Sequence, residues 1–129
     1  MRMMMAMGLA LGLCGTAQAE VATEVNQLAG QKITLHLQPF LTPDELTTLR
    51  LVATNKQALQ LFVTSKGYSA IAVAPKEGFI RDGAPVASAM AMGDLPDAAS
   101  AAAAARAGCD AKRKGGAACV VVLEVGPAR

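Results

Sequence analysis

Residues 97–125 constrain the fold more than any other stretch of the chain. From Asp97 to about Lys114 the sequence is dominated by alanine, the strongest helix former. Asp97 is a capping residue at the start, and Gly115-Gly116 stops the run. Ala98, Ala102, Ala105 and Cys109 recur at spacings of four, three and four, a row of small side chains on one helical face. A face of that kind lies close against a sheet. The next segment, 118–125, is almost uninterruptedly apolar, as expected of a central strand covered on at least one face.

The segments before this pair predict the rest of a small sheet. Residues 32–38 alternate, with Ile33, Leu35 and Leu37 facing one way and Lys32, Thr34, His36 and Gln38 the other, which is the period of a half-buried strand. Pro39 ends it. Thr42-Pro43-Asp44-Glu45 is a capping box with proline at the first helical position, and Leu41 and Leu46 are placed to staple it. Leu46, Leu49 and Ala53 share a face of the helix that follows. Asn55 either caps a second short helix through Phe62 or marks a kink in the first. Residues 20–30 read as a short helix or a loose arm.

Ser65-Lys66-Gly67 is a turn, and 68–74 a strand bounded by Pro75. Pro75-Lys76-Glu77-Gly78 and Asp82-Gly83 are turn chemistry. Phe79-Ile80-Arg81 reads as a short strand, with 86–92 as its partner behind Pro85, and Asp94 to Pro96 break that partner. The expected class is α+β. A β-β-β-α-β half forms an antiparallel-leaning sheet with the alanine-rich helix across it, preceded by one strand and one or two short helices. Residues 20–129 form one domain, divided into a leader, 20–66, and a strand–helix–strand core, 67–129.

The N-terminus has the layout of a signal peptide over 1–19. Arg2 is followed by the apolar run 3–13, then Ala17-Gln18-Ala19 as a small-x-small cleavage site before Glu20. The run falls short of the ~20 residues of a membrane span, so none is expected after cleavage. Leu11-Gly12-Leu13-Cys14 resembles a lipid-attachment box, but Leu13 stands where a small residue normally precedes the cysteine. Removal of the signal also removes Cys14 and leaves Cys109 and Cys119, an even pair in an exported chain. A disulfide between them is the expectation, in a periplasmic or secreted protein. Neither a C-x-x-C redox pair nor a four-ligand zinc pattern occurs.

A net charge of +2, and Phe40, Phe62, Tyr68 and Phe79 as the aromatic residues, argue against nucleic-acid binding. His36, the single histidine, falls on the polar side of its strand. Met90 and Met92 share one strand face and suit a soft metal such as Cu(I), although gap-filling is the commoner use of methionine. Asp94 and Asp97 bracket Leu95-Pro96 and fit helix entry as well as acid–base work. Lys112-Arg113-Lys114 suits a helix C-terminus. The sequence holds no G-x-S-x-G elbow and no glycine-rich phosphate loop. A pyridoxal-phosphate-dependent synthase is excluded on size, because that chemistry needs a Schiff-base lysine in a large organised fold.

Residues 68–75 (Tyr-Ser-Ala-Ile-Ala-Val-Ala-Pro), the alanine-rich helix ending at Cys109, and Cys119-Val120-Val121-Val122 together resemble a family of small exported bacterial domains of unknown function. Those domains carry an aromatic-x-Ala-Ile-Ala strand, a cysteine on an alanine-rich helix and a cysteine–valine strand. The resemblance covers about the C-terminal half and departs between Phe79 and Met92, where that family is richer in Gly, Trp and Tyr. It implies the disulfide and the strand–helix–strand order, and no activity.

The functional expectation is a non-enzymatic binding domain without a cofactor, whose partner is a protein or a cell-envelope component. The alternative is a small hydrolase or copper carrier using His36 with Met90/Met92 or Asp94/Asp97. The signal reading predicts an exported product whose intact mass begins at Glu20. A product retaining residues 1–19, or carrying lipid on Cys14, would contradict it.

Overall fold

The computed structural model describes residues 21–63 and 66–128. The signal segment, the Ala19–Glu20 junction and Ser65 of the expected turn lie outside the described residues. The chain order is β1 (Thr23–Leu28), β2 (Gln31–His36), α1 (Pro43–Thr54), α2 (Lys56–Phe62), β3 (Tyr68–Val73), β4 (Ile80–Arg81), β5 (Ala84–Pro85), β6 (Met90–Leu95), α3 (Ala98–Lys112) and β7 (Val120–Pro127). Five strands form one sheet in the order β1-β2-β7-β3-β6, every pair antiparallel, and β4 and β5 form a separate ribbon. The class is α+β, with α3 packed on the sheet. Residues before and after position 66 contribute strands to the same sheet, joined where β2 meets β7.

Residues 23–28 are a strand, and neither a helix nor a loose arm. Ala29 and Gly30 both adopt positive φ, at 55° and 78°, which makes the two-residue hairpin turn that matches strand twist. β1 lies at an edge, so its side chains alternate between exposed and half-buried, with polar residues on both sides and no apolar stripe. The partner of Ile80–Arg81 also differs from expectation. Asp82 and Gly83 form a second tight turn of this kind, at φ 56° and 78°, and place Ala84–Pro85 opposite β4. The strand expected over 86–92 begins instead at Met90 and pairs with β3. Asp94 does not end it. It sits inside β6 at φ 64°, where the register against β3 shifts.

The two faces of the sheet are covered by unlike layers. Toward α1 and α2, Ile33, Leu35, Ile71, Leu123 and Val125 pack on Leu49, Val52 and Leu59. Toward α3, Ala70, Ala72 and Ala74 meet Ala101, Ala105 and Cys109. The buried face of α3 is therefore Ala101, Ala105 and Cys109. Ala98 is exposed and Ala102 only half-buried, so the expected row was out of phase at those two positions. A run this uniform in alanine carries almost no moment with which to fix its phase. Gly108 lets α3 approach closely, because a Cβ there would lie 2.9 Å from Cγ of Met90. Cys109 and Cys119 are bonded, with Cα atoms 6.1 Å apart. Asp110 reinforces the closure, since its Oδ1 accepts both the Cys119 N–H at 2.9 Å and Arg113 Nε–H at 2.7 Å.

The capping box forms as expected: Glu45 N–H donates to Thr42 Oγ1 at 3.1 Å, and Thr42 N–H to Glu45 Oε1 at 2.9 Å. Asn55 caps a separate α2 through the Ala58 N–H. Glu45 does more than cap. It is fully buried, and Oε2 accepts the N–H groups of Phe79 at 2.7 Å and Ile80 at 2.9 Å, and Arg81 Nε–H at 3.2 Å. One carboxylate thereby ties the start of α1 to the β4–β5 ribbon.

Burial pushes the Glu45 pKa up, but the N–H groups of Thr42, Phe79 and Ile80 and the Arg81 guanidinium outweigh it. The net position is below the ordinary 4.5. A depressed carboxylate contributes stability that is present above its unfolded pKa and is lost as pH falls through the folded one. Glu45→Ala should cost about 3 kcal/mol, because it strands buried amide donors, whereas Thr42→Ala should cost about 1 kcal/mol. Urea melts of both variants check the order. The stability of Glu45→Gln should also fall less between pH 6 and pH 3 than that of the parent.

Candidate binding face

Alternation along β2 and β7 decides which side chains reach the α3 side of the sheet. Ile33 and Leu35 point to α1, so Lys32, Thr34 and His36 point the other way. On β7 the corresponding positions are Glu124 and Gly126, opposite Thr34 and Lys32. Helix α3 packs on β3, β6 and β7. Across β1, β2 and the adjoining part of β7 this side of the sheet has no helix over it among the described residues. Beside the first turn of α3 the uncovered part sinks into a groove of about 360 Å³, walled by Lys32, Thr34, Tyr68, Ala98, Glu124 and Gly126.

Tyr68 forms one wall because β7 has glycine beside it. A Cβ on Gly126 would fall 2.5 Å from Cδ2 of the ring, so the ring lies over the glycine backbone. The rim on the other side is a hydrogen bond between a histidine and a carboxylate. His36 Nε2 and Glu124 Oε2 are 2.7 Å apart, with 25% and 36% of their side chains exposed. The hydrogen bond from His36 holds the Glu124 carboxyl below its usual range against a smaller opposing effect of burial, aided by the positive fields of His36 and Arg106. An ionised carboxylate only accepts, so Nε2 carries the proton. His36 does fall on the polar side of its strand, as the alternation predicts, and it finds a partner there. The lone charge within the apolar run 118–125, Glu124, was the sequence signal for its partner.

The other expected combinations are not assembled. Met90 and Met92 lie on β6, with β7 and β3 between them and His36 on β2, a separation of roughly 14 Å at the usual strand spacing. Met90 is in contact distance of Gly108 under α3, and both methionines pack against the alanine layer. Asp97 is the N-cap of α3 and accepts the Ser100 N–H at 2.7 Å, which lowers its pKa. The groove wall includes neither His36 nor Asp94 nor Asp97. Ser69 offers His36 no nucleophile. It pairs with Val125 and so shares the α1 side of the sheet, where its buried hydroxyl has no hydrogen-bond partner among the described residues. No group of three or more His, Cys, Asp or Glu side chains is placed to hold a metal among the described residues.

The arrangement offers a shallow surface with a cation, a carboxylate, a hydroxyl and an aromatic wall. It can bind by hydrogen bonds and stacking, and it holds no nucleophile–base pair. Tyr68 is the single tyrosine in a chain without tryptophan, so its fluorescence reports on this wall alone. Gly126→Ala should force the ring off β7 and raise its quenching by acrylamide while the fold is retained. Unchanged quenching would show that the ring does not rest on Gly126.

Neither a family model, nor a curated protein, nor a solved structure matches the chain.

Proposed function

We propose that this protein is an exported, non-enzymatic domain that binds another macromolecule or a component of the cell envelope through the open half of its sheet. The observation that carries the reading is the unequal cover of that sheet. The α1–α2 side is closed by a bulky apolar layer, while on the other side α3 stops short of β1 and β2 and leaves the groove. Antiparallel sheets tolerate a solvated face, so exposure alone is ordinary. The groove is less ordinary, since Tyr68, Lys32, Thr34 and Glu124 converge on it from three strands.

Export to the periplasm or beyond the cell is supported by the layout of residues 1–19 and by the Cys109–Cys119 bond, which suits an oxidising compartment. No helix among the described residues is long and apolar enough to cross a membrane. The resemblance of the C-terminal half to small exported bacterial domains agrees with this placement and adds no activity. The hydrolase or copper-carrier reading loses ground, because His36 meets neither the methionines nor the aspartates.

Capture from envelope extract tests the proposal when three baits are compared. A partner held by the parent and by Leu61→Arg, a change at an 81%-exposed site on α2, should be lost with Thr34→Arg. Retention of every partner by Thr34→Arg would remove the open face from the function.

A further inference from the structure

The two edges of the five-stranded sheet are built differently. Exposed edges invite pairing with another chain, and proteins blunt them with charge, proline, bulges or twist. The β6 edge is blunted: its register shifts against β3, Asp94 takes a left-handed conformation, and Pro96 follows at once. The β1 edge has no proline and no bulge, and its single charge is engaged by another side chain. Its six residues, Thr-Glu-Val-Asn-Gln-Leu, pair with β2 in unbroken register and contain no proline and no lysine. The one charge, Glu24, is turned to the α1 side, where both carboxylate oxygens accept from Arg50 at 3.1 and 2.8 Å. Val25 stands at the middle of the strand, 53% exposed.

We propose that β1 is a dimerisation edge, on which a second copy of the chain adds its own β1 antiparallel about a two-fold axis at Val25. The hairpin determines the register. With a two-residue turn, Leu28 and Gln31 form a hydrogen-bonded pair, and Asn26 and Glu24 follow in phase, so their backbone groups are spent on β2. The amide and carbonyl groups of Thr23, Val25 and Gln27 face outward. Among the described residues no strand pairs with them. The register centred on Val25 pairs all three: Val25 meets Val25 of the second copy, and Thr23 meets Gln27 in both directions. Each of these pairs exchanges two hydrogen bonds. The exposed valine packs against its own symmetry mate, and Glu24 falls opposite Asn26, so no like charges meet across the axis. This edge is distinct from the groove, and the inference stands whether or not the groove binds a partner.

Sedimentation of the protein as purified from the cell, over a range of concentrations, tests it. The parent should be a dimer. Val25→Lys and Val25→Glu should each raise the dissociation constant at least about tenfold, and an equimolar mixture of the two should regain dimer as the opposite charges meet. Thr23→Pro, which deletes one outward amide without touching a bond to β2, should weaken the dimer as well and decides the matter if a Val25 variant fails to fold. A parent monomeric at every concentration, its edge taken by another segment of the chain or by a foreign strand, would overturn the inference. So would a dimer indifferent to these changes.

Discussion

A single buried carboxylate ties together two parts of this fold that share no strand pairing. The β4–β5 ribbon pairs with no strand of the main sheet; beside the packing of Phe79 and Ile80 on the core, polar contacts from the start of α1 hold it. Glu45 bridges them because its two oxygens face different ways. Oε1 closes the first turn of α1, and Oε2 gathers two backbone amides and a guanidinium from the ribbon. A charge in that position is tolerable only while every donor stays in place. The cap, the ribbon and Phe79, which packs its ring against Phe62 with centroids 5.9 Å apart, are thus held by one geometry.

The two layers on the sheet differ in kind. On the α1–α2 side, branched and aromatic side chains form a continuous layer that removes apolar surface from water. On the α3 side the contact is alanine on alanine, which allows a close approach and little burial per residue. The bond between Cys109 and Cys119 and the Asp110 clamp compensate by fixing the end of α3 to the start of β7. Glu77 adds a further tie, accepting the Ser88 hydroxyl and the Lys114 N–H. With α3 so anchored near β3 and β6, nothing draws it over β1 and β2.

Where local chemistry decides a structure, it could be read from the residues. Thr42, Glu45 and Asn55 announce their helices, Ile33 and Leu35 their strand, and the cysteine pair its bridge. Features that depend on distant partners could not be read in this way. Ala-Gly is not the residue pair usual in a tight hairpin, so Ala29 at positive φ, and β1 with it, left no trace. Uniform alanine hid the phase of α3. The two-residue turn at Asp82-Gly83 was visible, but its consequence, a ribbon too short to include 86–92, follows only once its register is known. At the candidate face, alternation placed Lys32, Thr34 and His36 on one side. The neighbours that turn them into a groove and a histidine–carboxylate hydrogen bond, Tyr68, Glu124 and Gly126, come from strands whose adjacency is a matter of topology.

That topology puts β7, the last of the described strands, in the middle of the sheet. β7 is hydrogen-bonded to β2 on one side and β3 on the other, and the β1–β2 hairpin touches the rest of the sheet through it alone. Until residues 120–127 are available, the chain holds two separate strand pairs, each with an open edge. The five-stranded sheet therefore cannot close before β7 takes its place between β2 and β3. That closure joins residues far apart in sequence, and contacts of this kind form slowly and leave edges exposed meanwhile.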